Sequence, residues 1–590
     1  MDESVLRARS SNQRSHRSPR HAVARALTHQ ASPASIRAQP KFDNRILIPE
    51  RWPACRPGTL SRKEGSVRAC VWNSGMAQNF IESRREQGFL LPPDVRDWLP
   101  ADYLAWFVID AVAGMDLAGF YGVYRDNGQG RAAYEPSVMV ALILYSFASN
   151  VRSSRAIERH CRQDVAYRVI TGNLVPDHAT IARFICRHER ALAGLFSEVL
   201  KLCHRAGLVK SGVVSIDGTR MAGNCSPEVN LTFEQIAREI LAETKARDEA
   251  EDAQFGERCG DELPKELRTP EGRREFFRRS RDDLARDHED AELAEPEPER
   301  TEEVGLELDA ERIVARTQGR EGWLREGRRQ VEQHRWENPD AIPRARAERL
   351  LLGVERLEVD LDVERRANEA YEAYRARGRM KDGRRFGGPP NPYTPPELPA
   401  GKVNVTDPDS RPIPIGFGFV QGFNAQAAVN EQGIVLAAEI TTNSTDFSQL
   451  DPMVTATLDE LERAGIDQLP EAVAADAGYW NEEHMDEVVA NKHIPVLVAP
   501  DKGSRGTPRK GWTGGRYDWM RNVLGSDHGR ERYKKRKQTT EPTFGNTKHN
   551  KGVIRFQRRG RIKVRTEWRL LMMTENLTKV HRHQIATERA

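Results

Sequence analysis

Between Leu90 and Gly207 the apolar positions recur with a helical period, first in "PADYLAWFVIDAVAGMD", then in "EPSVMVALILYSFASN", then in two shorter amphipathic stretches. Pro136 falls at a first-turn position of the second stretch, where its missing N–H costs nothing. The run Val138 to Ala148 is apolar all round, yet too short for the roughly 20 residues a bilayer span needs. It predicts a buried core helix. In "VPDHATIARFICRHER", Asp177 is placed to cap a helix with an apolar stripe of Ile181, Phe184 and Ile185. Arg183, Arg187 and Arg190 form a basic stripe at i, i+4 and i+7. A recognition helix of a helix-turn-helix has this layout, and so has an ordinary surface helix. Residues 76–208 are thus expected to form an all-α N-terminal domain.

The period then shortens. Val213, Val214 and Ile216 in "SGVVSIDGTR" predict a buried strand ending at Asp217 and a glycine turn. From about Glu234 to Arg379 the chain is dominated by Glu, Asp, Arg and Ala with sparse Leu and Val, which predicts long charged helices, a helical hairpin among them. The run "GGPPNPYTPPELPAG" (387–401) ends this 226–401 insertion as a proline-rich linker. Strand character returns in "GFVQGFNAQAAVN" and "GIVLAAEITTN", whose short connection suits a hairpin. An amphipathic helix, a strand "EAVAADAGY" ending near Asp476, a helix "NEEHMDEVVANK" and a strand "IPVLVAP" follow, and a last helix comes after a basic loop. Alternation of that kind implies a mixed sheet covered by helices, built from 209–225 and 402–580, with 581–590 as a tail. The fold class expected is therefore α+β or α/β, with an all-α region in front and a charged helical insertion inside the catalytic core.

Composition changes the picture in one respect. The formal charge of the 590-residue chain is only +4, but residues 501–590 carry 24 Lys/Arg against 8 Asp/Glu and residues 1–75 carry 14 against 5. That leaves residues 76–500 at −21, so the basic surface is concentrated, most of it at the C-terminal end. Such a block points to a polyanion, because every phosphate neutralised by Lys or Arg releases counterions. Residues 1–75 are basic, lack an apolar signal region and read as a disordered leader, with Met76 the expected start of the folded protein. Seven scattered cysteines without CxxC spacing suit a reduced cytoplasmic chain.

Within the most basic segment, "YKKRKQTTEPTFGNTKHNKG", one carboxylate stands among six cations: Glu541. Pro542 suggests a helix entrance there, where an acid also suits the dipole. Asp217 at the end of the first strand and Asp476 at the end of the fourth can lie side by side in a mixed sheet. Three carboxylates brought to one point repel and need a counter-charge. Hard oxygen ligands with open positions suit Mg²⁺ or Mn²⁺, and two such ions about 4 Å apart serve phosphoryl transfer. Each acid alone is most simply a turn residue or a solvated helix acid. It is the combination that carries the chemistry.

At these residues the chain resembles the DDE transposases of bacterial insertion sequences, in particular groups four and eleven-eighty-two. The resemblance rests on "IDGTRMAGN" at Asp217, "ADAGYWNEE" at Asp476, and the tyrosine-arginine-glutamate-lysine signature Tyr533, Arg536, Glu541, Lys548. "NVTDPDSR" from Asn404, "QGFNAQAAV" from Gln421 and "NFIESRREQGFLLPPDVRDWLP" from Asn79 extend it over roughly 76–580. Four residues, "KQTT", separate Arg536 from Glu541 where the signature has three, so Arg536 and Lys537 both stand as candidates for the arginine role. The resemblance implies an RNase H-like core, with Asp217, Asp476 and Glu541 as catalytic ligands of Mg²⁺ or Mn²⁺, as two ions. Tyr533, Arg536, Lys537 and Lys548 are then DNA contacts, and Arg183 and Arg187 candidates for reading the element's ends. It implies cleavage at terminal inverted repeats of double-stranded DNA, strand transfer into target DNA, assembly as a homodimer or larger, and a cytoplasmic, nucleoid-associated location. A catalytically silent DNA-binding descendant is the alternative reading. A nuclease that cuts without joining is a third.

Overall fold

The first strand, β1 (Val213–Ala222), is the centre of a mixed sheet, because its apolar start is buried on both faces and both of its edges are paired. On one edge β5 (Phe419–Val429) runs antiparallel to it, and β4 (Arg411–Pro414) and β6 (Val435–Thr441) share the far side of β5. On the other edge β7 (Ala472–Ala475) and then β8 (Val496–Val498) run parallel. The computed structural model describes residues 94–124, 132–255, 319–338, 342–416, 418–501 and 512–589, with a few positions between 269 and 313. The leader 1–75, Met76, the stretch from Asn79 to Pro93, residues 256–268 of the insertion and the loop 502–511 lie outside the described residues.

Among the described residues seven α-helices precede the sheet: α1 (Leu104–Ala113), α2 (Ala118–Tyr121), α3 (Pro136–Ala148), α4 (Ser154–Gln163), α5 (Val165–Ile170), α6 (His178–Arg187) and α7 (Glu189–Arg205). Pro136 opens α3, whose Met139 to Phe147 are all buried, and the Asp177 carboxylate accepts the Thr180 amide at 2.8 Å to cap α6, as their sequence predicts. These helices do not form a core of their own. Their buried residues are continuous with those of the sheet, from Leu142 and Phe196 to Val435 and Trp568.

The connection from β1 to β5 holds the insertion. A short pair, β2 (Asn230–Thr232) against β3 (Lys402–Asn404), brings its two ends together. Between them stand α8 (Phe233–Phe255), α9 (Arg320–Glu337) and the 31-residue α10 (Arg346–Ala376), the last two packed as a pair. The proline-rich segment is not a free linker. Arg320 and Arg375 donate to the Asn391 and Gly388 carbonyls, Arg365 donates to those of Pro396 and Glu397, and Arg320 stacks on Tyr393, so the segment lies back along α10. Proline carbonyls have no ladder to join, and arginine fans satisfy them instead.

After β6 come α11 (Leu450–Arg463), β7, α12 (Glu482–Asn491), β8, α13 (Gly515–Gly525), α14 (Asp527–Gly545) and α15 (Arg561–Glu588). The expected single closing helix is three. The last is the buried strut of the fold, with Val564, Trp568, Leu570 to Met573 and Leu577 at 1% exposure or less. Arg569 on it is buried, ion-paired to Glu439 of β6 at 2.9 Å and Glu460 of α11 at 2.5 Å, and bonded to the Ala193 carbonyl of α7.

Candidate active site

The register of β1 on β7 pairs Ile216 with Ala475, so Asp217 and Asp476 are the next residues on two adjacent parallel strands. That is a juxtaposition the strand order allows. Asp476 leaves the sheet at once: one of its carboxylate oxygens accepts the Gly478 amide at 2.7 Å and caps the turn Ala477–Tyr479. Asp217 behaves differently from its sequence reading. It lies mid-strand, not at a strand end, and β1 continues five residues past it. Gly218 makes no turn. A Cβ there would stand 2.2 Å from Gln426 Nε2 and 2.7 Å from Asp446 Oδ1, so the glycine is required for close approach.

Helix α14 lies across β1 and β7 with Tyr533, Arg536 and Thr540 on the inner face at i, i+3 and i+7. Tyr533 donates to the Ala475 carbonyl at 3.2 Å, fixing the helix on the residue before Asp476. Arg536 pairs with Asp217 at 3.2 Å, and Thr540 approaches the same oxygen at 3.5 Å. Between the two candidates for the arginine role, Arg536 occupies the pocket while Lys537 points outward and is exposed. Burial lifts the Asp217 carboxyl to about 6; Arg536 and the Gly218 amide pull it down, and Asp476 and Asp446 push it up.

Glu541 is not at a helix entrance. The helix begins fourteen residues earlier, where Ser526 caps it by accepting the Gly529 amide and Asp527 supplies the first-turn acid. Pro542 lies inside α14, and the Thr539 and Thr543 hydroxyls on either side bond carbonyls one turn back. The dipole argument for Glu541 therefore does not apply. The residue is exposed, with no hydrogen bond or ion pair among the described residues, one position round the helix from Thr540. Of the three predicted acids the structure brings two together. Among the described residues no three His, Cys, Asp or Glu side chains converge closely enough to hold a metal ion as they stand.

Lys548 follows α14 in a π-helical turn (Asn546–Asn550), half-buried, donating to the Arg220 carbonyl of β1 at 2.9 Å. Burial and the neighbouring Arg220 lower its pKa. Arg183 and Arg187 are exposed on α6; Arg187 donates to the Val123 carbonyl at 2.8 Å and lies over Tyr124.

Asp446 escaped the sequence reading. Its Oδ1 accepts the side-chain amides of Asn424 and Gln426, each at 2.8 Å, and Gln426 in turn accepts the buried Tyr479 hydroxyl. A signal was available in "FNAQAAV". Two amides at i and i+2 on an apolar strand point to one face and, once buried, require an acceptor.

Hard oxygen donors at Asp217 and Asp476 suit a divalent cation, whose charge would offset the burial that raises Asp217 and the smaller repulsion from Asp476 and Asp446. A mixed helix-and-sheet protein with two acids side by side on neighbouring central strands, one mid-strand and one just past a strand end, is the class these features define. Residues 94–187 match the family described as Transposase domain (DUF772), and residues 505–581 match the Transposase DDE domain. Both matches are to transposase families, and together they support a DDE-type insertion-sequence transposase. Glu541 and the Tyr533 to Lys548 signature fall inside the second match, while Asp217 and Asp476 fall outside both. No curated protein and no solved structure matches the chain. No described helix is long and apolar enough to cross a membrane.

Proposed function

We propose that this protein is an active transposase that cuts DNA at the ends of its element and joins the freed 3′-hydroxyls to target DNA. The observation that carries this is the β1–β7 register, which sets Asp217 beside Asp476 under the Tyr533–Arg536 face of α14. The sheet order supports an RNase H-like core: an antiparallel β6–β5–β1 half continued by parallel β7 and β8. Asp217 and Asp476 would hold Mg²⁺ or Mn²⁺, with Glu541 as the third ligand. When bound, the metal polarises the scissile phosphate and lowers the pKa of the attacking hydroxyl.

The side chains supply the rest. Arg536 balances Asp217 while no cation is present and turns to the phosphate when one is. Tyr533 holds α14 at the end of β7, and Lys548 reaches β1 three residues beyond Asp217, where the flanking strand passes. Two ends must be joined, so a homodimer or larger assembly on duplex DNA follows, in the cytoplasm with the nucleoid.

The outward position of Glu541 favours one second reading, a silent DNA-binding relative. The test uses labelled duplexes carrying the terminal repeats that flank the gene, with Mg²⁺ or Mn²⁺, and compares wild type with Asp217→Ala and Glu541→Gln. Nicking and joining lost in both variants while binding persists is the expected result. Salt-sensitive binding by the wild type without any metal-dependent cut establishes the silent relative.

A further inference from the structure

Beyond the π-helical turn the chain makes a short loop, Lys551 to Gly560, along the far end of β1. Val553 and Phe556 in it are fully buried, with their amides bonded to the Thr547 and Ala222 carbonyls. Between these anchors Ile554 stands outward, 70% exposed. The loop is braced from the helical side as well: Arg152 donates to the Arg555 carbonyl at 3.1 Å and Asn150 to that of Lys551. Gly552, at φ +61°, supplies the left-handed step that turns the chain outward. A single exposed aliphatic is ordinary on a protein surface. This one is held on a braced loop with exposed cations on the same stretch of surface: Arg555 follows it directly and bridges to Ala222, Arg559 lies further along the loop and donates to the Asn224 carbonyl at 2.8 Å, and Arg220, two residues before Ala222 on β1, donates to the Ser444 carbonyl at 3.4 Å.

We propose that Ile554 is an apolar wedge that enters a base step of the bound duplex and unstacks it, while Arg220, Arg555 and Arg559 hold the adjoining phosphates. The inference rests on the reading of Asp217 as the cleavage site and adds a DNA-deforming element to it. Charge complementarity selects the partner, since a protein surface seeking an isoleucine would not be met by three arginines whose charge no described acid neutralises. Apolar side chains inserted between base pairs kink DNA in this way, and a side chain already held rigid loses little entropy on entry. Position gives the proposal its use. Arg555 bridges to Ala222, five residues along β1 from Asp217. At about 3.3 Å per residue that is roughly 17 Å, or about five base pairs of B-DNA. Unstacking there would bend and loosen the duplex about five base pairs from the scissile phosphate.

The experiment places 2-aminopurine at successive positions in a 30-base-pair terminal-repeat duplex and reads its fluorescence on adding the full-length protein. The expected result is a rise confined to positions about four to six base pairs from the cut. It is lost in Ile554→Ala and Ile554→Ser, whose affinity by anisotropy stays within about threefold of wild type. A mismatched pair at the responsive position restores cleavage to Ile554→Ala, and Arg555→Ala instead lowers the salt slope of binding by about one. Binding and cleavage by wild type with no rise at any position, or an equal rise in Ile554→Ala, overturns the wedge alone. A wild type that binds and unstacks but never cuts overturns the cleavage reading and leaves the wedge standing. No binding overturns both.

Discussion

Gly218→Ala separates two explanations of the Asp-Gly pair. Gly218 does not have a positive φ, so alanine is conformationally allowed. If the glycine served only a turn, alanine would stabilise the chain by about 0.4–1 kcal/mol through the unfolded state. The structure requires the opposite sign. The new Cβ would lie 2.2 Å from Gln426 Nε2, 2.7 Å from Asp446 Oδ1 and 2.9 Å from Asn424 Oδ1. Gln426 and Asn424 are at 0% and 1% exposure, so neither can swing into solvent. Overpacking of this kind costs about 1–3 kcal/mol. Displacing the two amides that hold Asp446 adds about 1.5–3 kcal/mol, because the acceptor is charged. The expected loss is therefore about 2.5–6 kcal/mol, read as a lower urea midpoint at unchanged slope. Gly194, a helical glycine with nothing within 4 Å of its Cβ position, is the control; Gly194→Ala should raise the midpoint. A double-mutant cycle identifies the clash. Gln426→Ala should cost less in the Gly218→Ala background than in wild type, since it removes the atom in the way. A neutral or stabilising Gly218→Ala, or strict additivity with Gln426→Ala, would refute the reasoning.

Arg569→Met should cost about 1.5–3 kcal/mol in urea unfolding, because it removes the buried guanidinium shared by Glu460 and Glu439 and leaves Glu460 to Arg463 and Ser197 and Glu439 to Arg565. Asp407 is pushed up to about 7, first by burial and then by Asp409. The folded state thus keeps a proton between pH 4 and 7 that the unfolded state has released; stability falls by about 4 kcal/mol across that window, and Asp407→Asn should flatten the fall. Arg320→Ala removes the hub bonded to Asn368, Glu372 and Asn391 and should expose 387–401 to limited proteolysis that wild type resists. Removing Lys534, Lys537, Arg555 and Arg559 together should lower the salt slope of DNA binding by about 3 to 4, whereas neutralising Arg532 and Lys535, which are paired to Glu471 and Glu431, should leave it unchanged.

What could be read in the sequence was what neighbours in the chain decide. The apolar run of α3, the Asp177 cap, the β5–β6 hairpin and the strand endings at β7 and β8 depend on spacing within a few residues, and they stand where expected. The adjacency of Asp217 and Asp476 was one arrangement that the order of strands and helices allowed, and the β1–β7 register is the one formed. Boundaries failed where a local signal had a distant cause. Pro542 looked like a helix start, yet the face of α14 from Tyr533 to Thr540 is held to β1 and β7, and that packing carries the helix past the proline. Gly218 looked like a turn because its reason, the approach of Gln426 and Asp446, lies more than two hundred residues away. The proline-rich linker looked free because its arginine partners are on α9 and α10.

The same distance effect changes the meaning of the basic C-terminus. Read along the chain, its +16 is a polyanion-binding block. In the fold much of it neutralises acids of the negative core: Arg532 pairs with Glu471, Lys535 with Glu431, Arg536 with Asp217, Arg558 with Glu189, Arg561 with Glu332, and Arg565 and Arg569 with Glu439. The segment of opposite charge is thus the mortar that holds α14 and α15 on the sheet and ties Glu332 of the insertion to the start of α15. The cations left exposed without an acid partner among the described residues are Lys534, Lys537, Arg555, Arg559, Lys563 and Arg582; all but Arg582, near the far end of α15, lie on α14, on the loop after it or on the first turn of α15. Charge alone marked a region of ninety residues for DNA. Subtracting the internal pairs narrows it to the surface that also carries Glu541 and Ile554, where a backbone phosphate can be held by arginine and lysine without first breaking the contacts that keep the fold together.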